Sequence, residues 1–167
     1  MRNKKTLQLT TMAFIIAFAM ILSFVESRIP ALVAIPGVKV GLANIAVIFT
    51  LYKLGTKEAI TVSMIRVLLI AMLFGSAVSL IYSICGAVLS LLTTILLKKL
   101  TPLTEVAVSV TGGIMHNVGQ IAAASFMLST NVVIYYLPFL LVSGTIAGIV
   151  VGIASAILIK RVKFKYQ

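Results

Sequence analysis

The chain has 167 residues, enough for one domain, and 61% of them are hydrophobic against 10% charged. With a mean hydropathy of +1.20 it lies far from the composition of a soluble globular protein. The formal net charge of +11 invites a nucleic-acid reading, but the basic residues sit at the ends of the apolar segments and form no stripe along one face, which excludes it.

The expectation is one integral membrane domain over residues 1–167, with six transmembrane helices near 10–25, 41–54, 59–74, 78–97, 107–128 and 132–159. The first follows a short basic start. It could pass for a signal peptide, but no A-x-A-like site follows, so a retained helix is expected. Ala13 and Ala17 form an A-x-x-x-A step on it, a spacing that lets another helix backbone approach closely. Glu26-Ser27-Arg28-Ile29-Pro30 ends the helix, and the stretch to Lys39, broken by Pro30 and Pro36-Gly37, reads as a lid or as a plain turn.

The second segment is short and interrupted early by Asn44. The third carries Arg66 well inside it, either as a functional group or as the partner of a carbonyl or carboxylate. Gly75-Ser76 joins it to the fourth, where Ser79, Ser83 and Ala87 recur at helical spacing with Ser90 one step off. The fifth holds His116, the only histidine, with Asn117 and Gln120. On a helix His116 and Gln120 share a face, with Asn117 beside them. Such groups are costly in hydrocarbon unless they face a partner or a water-filled cavity. They read as the wall of a binding site, or more plainly as hydrogen bonds between helices. On the sixth segment Gly144, Gly148, Gly152 and Ala156 lie four apart, a seam for close packing.

Arg2, Lys4, Lys5, Lys53, Lys57, Lys98, Lys99, Lys160, Arg161, Lys163 and Lys165 all fall on the side of the termini. Arg28 and Lys39 fall on the other, with Arg66 between. The positive-inside rule then makes both termini cytoplasmic and the Glu26–Lys39 stretch external.

Several chemistries lack their residues. The chain has no P-loop, no aspartate to hold magnesium against a diphosphate, and three glutamates (Glu26, Glu58, Glu105) on separate segments. One histidine and the single Cys85 make no metal site, and no cofactor is expected. A nucleophile pair of His116 with Ser109 or Ser125 has no orienting acid beside it. The pattern points to a binder or conduit and away from an enzyme.

Val25-Glu26-Ser27-Arg28-Ile29-Pro30, Pro36 through Asn44, Arg66-Val67-Leu68, Leu73-Phe74-Gly75-Ser76 and His116-Asn117-Val118-Gly119-Gln120 together resemble the Gx transporter family. Its members are often labelled heptaprenyl diphosphate synthase component I. That family is similar in size and layout to the S components of energy-coupling factor (ECF) importers. The resemblance implies a six-helix S-component-like bundle that binds a small-molecule substrate near the outer face. It implies as partners a membrane coupling subunit and two cytoplasmic ATPases, with Ala13 and Ala17 at the coupling contact. The expected function is capture of a small polar or anionic nutrient in a prokaryotic cell membrane, by Lys39, Asn44, Arg66, His116, Asn117 and Gln120. The alternative is a non-catalytic membrane component of heptaprenyl diphosphate or quinone synthesis. A free-standing channel or carrier is weaker, since no acid is expected deep in a span.

Overall fold

The computed structural model describes residues 4–28, 41–74, 77–129 and 132–162. Every regular element among them is helical: α1 (Lys4–Arg28), α2 (Asn44–Lys53), α3 (Thr56–Phe74), α4 (Ala77–Leu100), α5 (Glu105–Leu128) and α6 (Leu137–Arg161), with a short 3₁₀ turn, Val132–Tyr136, before α6. In such apolar helices the threonines satisfy their own hydroxyls. Thr50, Thr111 and Thr145 each donate to the carbonyl four residues back, at 2.7, 3.0 and 2.8 Å.

Local chemistry sets the helix ends. Thr104 is extended, and its hydroxyl accepts from the Ala107 N–H at 3.3 Å, capping α5 just ahead of Glu105. Ser129 closes α5 in the left-handed conformation, with φ of 48°. Pro138 stands in the first turn of α6, where its missing N–H costs nothing. Lys98 on α4 donates to the Leu51 carbonyl near the end of α2, and its ammonium lies 4.9 Å from the centre of the Tyr52 ring.

Three stretches are long and apolar enough to cross a membrane: Lys5–Glu26, Ala77–Leu100 and Val132–Arg161. The expectation of six crossing helices is therefore met only in part. At 1.5 Å per residue the ten residues of α2 reach about 15 Å, roughly half the hydrocarbon thickness. Helix α3 bears Lys57, Glu58 and Arg66, and α5 bears the His116 cluster. The second segment also begins later than expected. Gly41 is left-handed, with φ of 75°, and Asn44 is the first residue of α2, its N–H bonded to the Gly41 carbonyl at 2.8 Å. The last segment begins as the 3₁₀ turn, not as α-helix.

Helices α4, α5 and α6 form one tightly packed layer, with α5 in the middle. Small residues permit this. A side-chain carbon on Gly148 would fall 2.5 Å from the Val110 Cα, and one on Gly119 2.7 Å from the Cys85 carbonyl oxygen. The seam expected on α6 is thus the surface on which α5 lies. Helix α2 packs on α3 and α6, and Ser155 of α6 donates to the Ile45 carbonyl at 3.4 Å. Helix α1 rests on α2 and α3 through Ile15 and Ala19, against Ala46, Phe49 and Val62. Its other face carries exposed Ala13, Phe14, Ala17 and Phe18.

Candidate functional site

The six helices leave a cavity of about 190 Å³ between them. Its walls come from the C-terminal turns of α1 and α3, the C-terminal half of α5, the N-terminal turns of α2, α4 and α6, and the 3₁₀ turn. All of these lie at one end of the bundle. The basic residues Lys5, Lys53, Lys57, Lys98, Lys99, Lys160 and Arg161 mark the opposite end.

Five of the six residues expected to bind substrate line this one cavity: Asn44, Arg66, His116, Asn117 and Gln120. They come from α2, α3 and α5, so only the tertiary fold brings them together. The sixth, Lys39, lies outside the described residues, as does the rest of the expected lid from position 29 on. The five differ in what they do. Asn117 is 5% exposed, and its amide donates to the Leu140 carbonyl of α6 at 2.6 Å. It therefore serves as an interhelical bond as well as part of the wall. His116 and Gln120 stack against Gly86 of α4, where an added carbon would meet the His116 ring at 2.9 Å and the Gln120 chain at 3.0 Å. The glycine makes room for both side chains, and both line the cavity between α4 and α5.

Arg66 is 7% exposed, and one of its terminal nitrogens donates to the Asn44 Oδ1 at 3.1 Å. Its Nε is buried and, among the described residues, has no hydrogen-bond partner. A buried guanidinium N–H at the wall of a partly polar cavity calls for an acceptor. Both readings of Arg66, functional and structural, find support here, since it holds Asn44 and keeps a donor unused.

Sequence reasoning missed Glu26. It was expected at the end of the first helix, with no acid deep in the protein, yet it is 8% exposed and lines the cavity. Its carboxylate accepts from the Gly41 N–H at 2.5 Å, joining the last turn of α1 to the turn that starts α2. The sequence holds an acid at the end of one apolar segment and an arginine inside another, but forty residues separate them and nothing local relates them.

The remaining wall is mixed. Ser23, Ser79, Ser83, Tyr82 and Tyr136 add hydroxyls, while Val67, Ile70 and Ile121 add apolar surface. Ser109 and Ser125, the conceivable partners of His116 for nucleophilic chemistry, are not among the lining residues. No group of three or more His, Cys, Asp or Glu side chains that could hold a metal occurs among the described residues.

No curated protein and no solved structure matches the chain. One family does: the sequence model of heptaprenyl diphosphate synthase component I matches residues 15–158. The match begins in α1, ends in the last turns of α6 and takes in every helix that walls the cavity, and the chain belongs to that family.

Proposed function

We propose that this chain is the substrate-capture subunit of an ECF-type importer in a prokaryotic cell membrane, taking up a small polar or anionic nutrient from the outer face. The observation that carries the reading is the cavity itself. Helices from both halves of the chain converge on one space lined by Arg66, Asn44, His116 and Gln120, polar groups gathered from three otherwise apolar helices into one partly apolar pocket.

In this reading all six helices lie in the bilayer, α2 as a short helix shielded by α1, α3 and α6. Both termini are cytoplasmic because the basic residues gather at their end of the bundle. The cavity then belongs to the outer half of the membrane. A coupling subunit docks on the exposed Ala13 and Ala17 step of α1, where the small side chains let a partner backbone come close. Two ATPases drive reorientation of the capture subunit so that the cavity opens inward. Solute specificity comes from the polar groups and uptake energy from the partners.

The test begins with the molecule that co-purifies with the protein, identified by mass spectrometry and then used as titrant. Each neutral hydrogen bond to it contributes about 0.5–1.5 kcal/mol and each bond to a charged group about 1.5–3. Gln120→Ala is expected to weaken binding about tenfold or less, and Arg66→Ala or Lys39→Ala roughly ten- to a hundredfold. Alanine at His116, Asn117 and Gln120 together should abolish most of the affinity. Unchanged affinity in that triple variant would make the three residues interhelical bonds only and sink the site.

A further inference from the structure

Helix α2 runs between the cavity and the basic end of the bundle, and it is tied at both ends to other helices. At its start Asn44 lines the cavity and accepts from Arg66 of α3 at 3.1 Å. About 10 Å further along the axis, the Leu51 carbonyl accepts from the Lys98 ammonium of α4. Every residue from Ile45 through Leu51 is buried. A helix packed in this way does not compress, so a shift at one end appears at the other.

The tie at the far end has a local cause. Where α2 ends, the Leu54 N–H and the Gly55 N–H both donate to the Thr50 carbonyl, at 2.9 and 3.0 Å. The Gly55 N–H is the one that would continue the helix onto Leu51. The turn thus passes over the Leu51 carbonyl, one of the acceptors that a helix end leaves over. Lys98 supplies a donor from another helix. A cation at a helix C-terminus is also favoured by the dipole, and the ammonium lies 4.9 Å from the centre of the Tyr52 ring. Lys98 is half-buried among these contacts, whereas its neighbour Lys99 is exposed. A charge that only marks the membrane interface needs neither contact.

We propose that Lys98 is a positioning residue for the cavity: by holding the C-terminal end of α2 it sets the place of Asn44, from the opposite end of the bundle. Arg66, bonded to Asn44, is set with it. A partner that displaces the end of α4 thereby reaches the cavity along α2. The inference rests on the reading of the cavity as a binding site, but its test reads the position of α2 and no bound molecule, so either can fail without the other.

The test uses the purified full-length chain in detergent, on a Cys85→Ser background, with methyl methanethiosulfonate as the probe. Asn44→Cys reports from α2 and Ala124→Cys from α5, both on the cavity wall. Each rate is compared with that of the same reporter with Lys98 in place. Lys98→Met keeps the length of the side chain and loses its donor and charge. With it the cysteine at position 44 should react at least roughly fivefold faster. The one at position 124 should stay within about twofold of its starting rate. Lys98→Arg keeps a charged donor and should restore the rate at position 44, and Lys99→Met should leave it unchanged. Lys98→Gln, shorter and uncharged, should accelerate position 44 at least roughly twofold, and it decides the matter if Lys98→Met does not fold. Equal rates at position 44 with and without Lys98, no reaction in either included, would overturn the proposal. Equal acceleration at positions 44 and 124 would overturn it as well, because a bundle that merely loosens opens its whole cavity. So would Lys98→Arg or Lys99→Met reacting as fast as Lys98→Met.

Discussion

Replacing Arg66 by Gln perturbs a residue that touches both the architecture of the cavity and its proposed use. The guanidinium is 7% exposed, bonds Asn44 Oδ1 at 3.1 Å and lines the same cavity as the Glu26 carboxylate. The glutamine loses the hydrogen bond to Asn44, a bond to a charged group of about 1.5–3 kcal/mol. It also removes the guanidinium from the cavity that the Glu26 carboxylate, 8% exposed, lines as well. Stability can be followed as the fraction of monodisperse protein after heating in detergent, by size-exclusion chromatography, with exposed Ile60→Ala on the same helix as a control. An Arg66→Gln variant as heat-resistant as the control would refute the reasoning. Affinity for the co-purified ligand, measured alongside, separates a binding defect from a folding defect.

Three further outcomes are expected. Ala13→Leu with Ala17→Leu should weaken co-purification with a coupling subunit while leaving solute binding by the isolated chain roughly intact, because these residues lie on the exposed face of α1 and not on the cavity; an undiminished complex counts against the importer. On a Cys85→Ser background, a cysteine at position 39 should react with an impermeant label from outside intact cells and one at position 99 should not, and the reverse pattern would invert the proposed orientation. Gly148→Leu forces a side chain where the Val110 Cα would stand 2.5 Å from its first carbon, so α5 and α6 must separate and the protein should lose more than the 1–3 kcal/mol typical of core overpacking. A Gly148→Leu protein with wild-type heat resistance would mean that these helices do not meet there.

Much of the secondary structure could be read along the chain, because helix position depends on local apolar runs and their punctuation. The fourth and fifth segments, expected at 78–97 and 107–128, form as Ala77–Leu100 and Glu105–Leu128. Lys98, Lys99 and Pro102 close the one, and the Thr104 cap opens the other. The four-residue spacing of Gly144, Gly148 and Gly152 likewise announced a close-packing face, since residues four apart on a helix share a side. The spacing could not say which helix would lie there. That is decided by Ser109 and Val110 on α5, and only the packed structure brings them to the seam.

The site divides in the same way. His116, Asn117 and Gln120 stand out in the sequence because a polar cluster inside an apolar run is visible one helix at a time. Glu26 does not stand out: at the end of an apolar helix an acid reads as an interfacial group. Its burial follows from the left-handed turn at Gly41, which offers its N–H to the carboxylate. Asn44 changes its meaning for a related reason, from an interruption within a helix to the first residue of α2, bonded to Arg66. Composition and periodicity determine which residues must leave water. Which of those polar groups meet around one cavity depends on distances between helices that the order of residues along the chain does not contain.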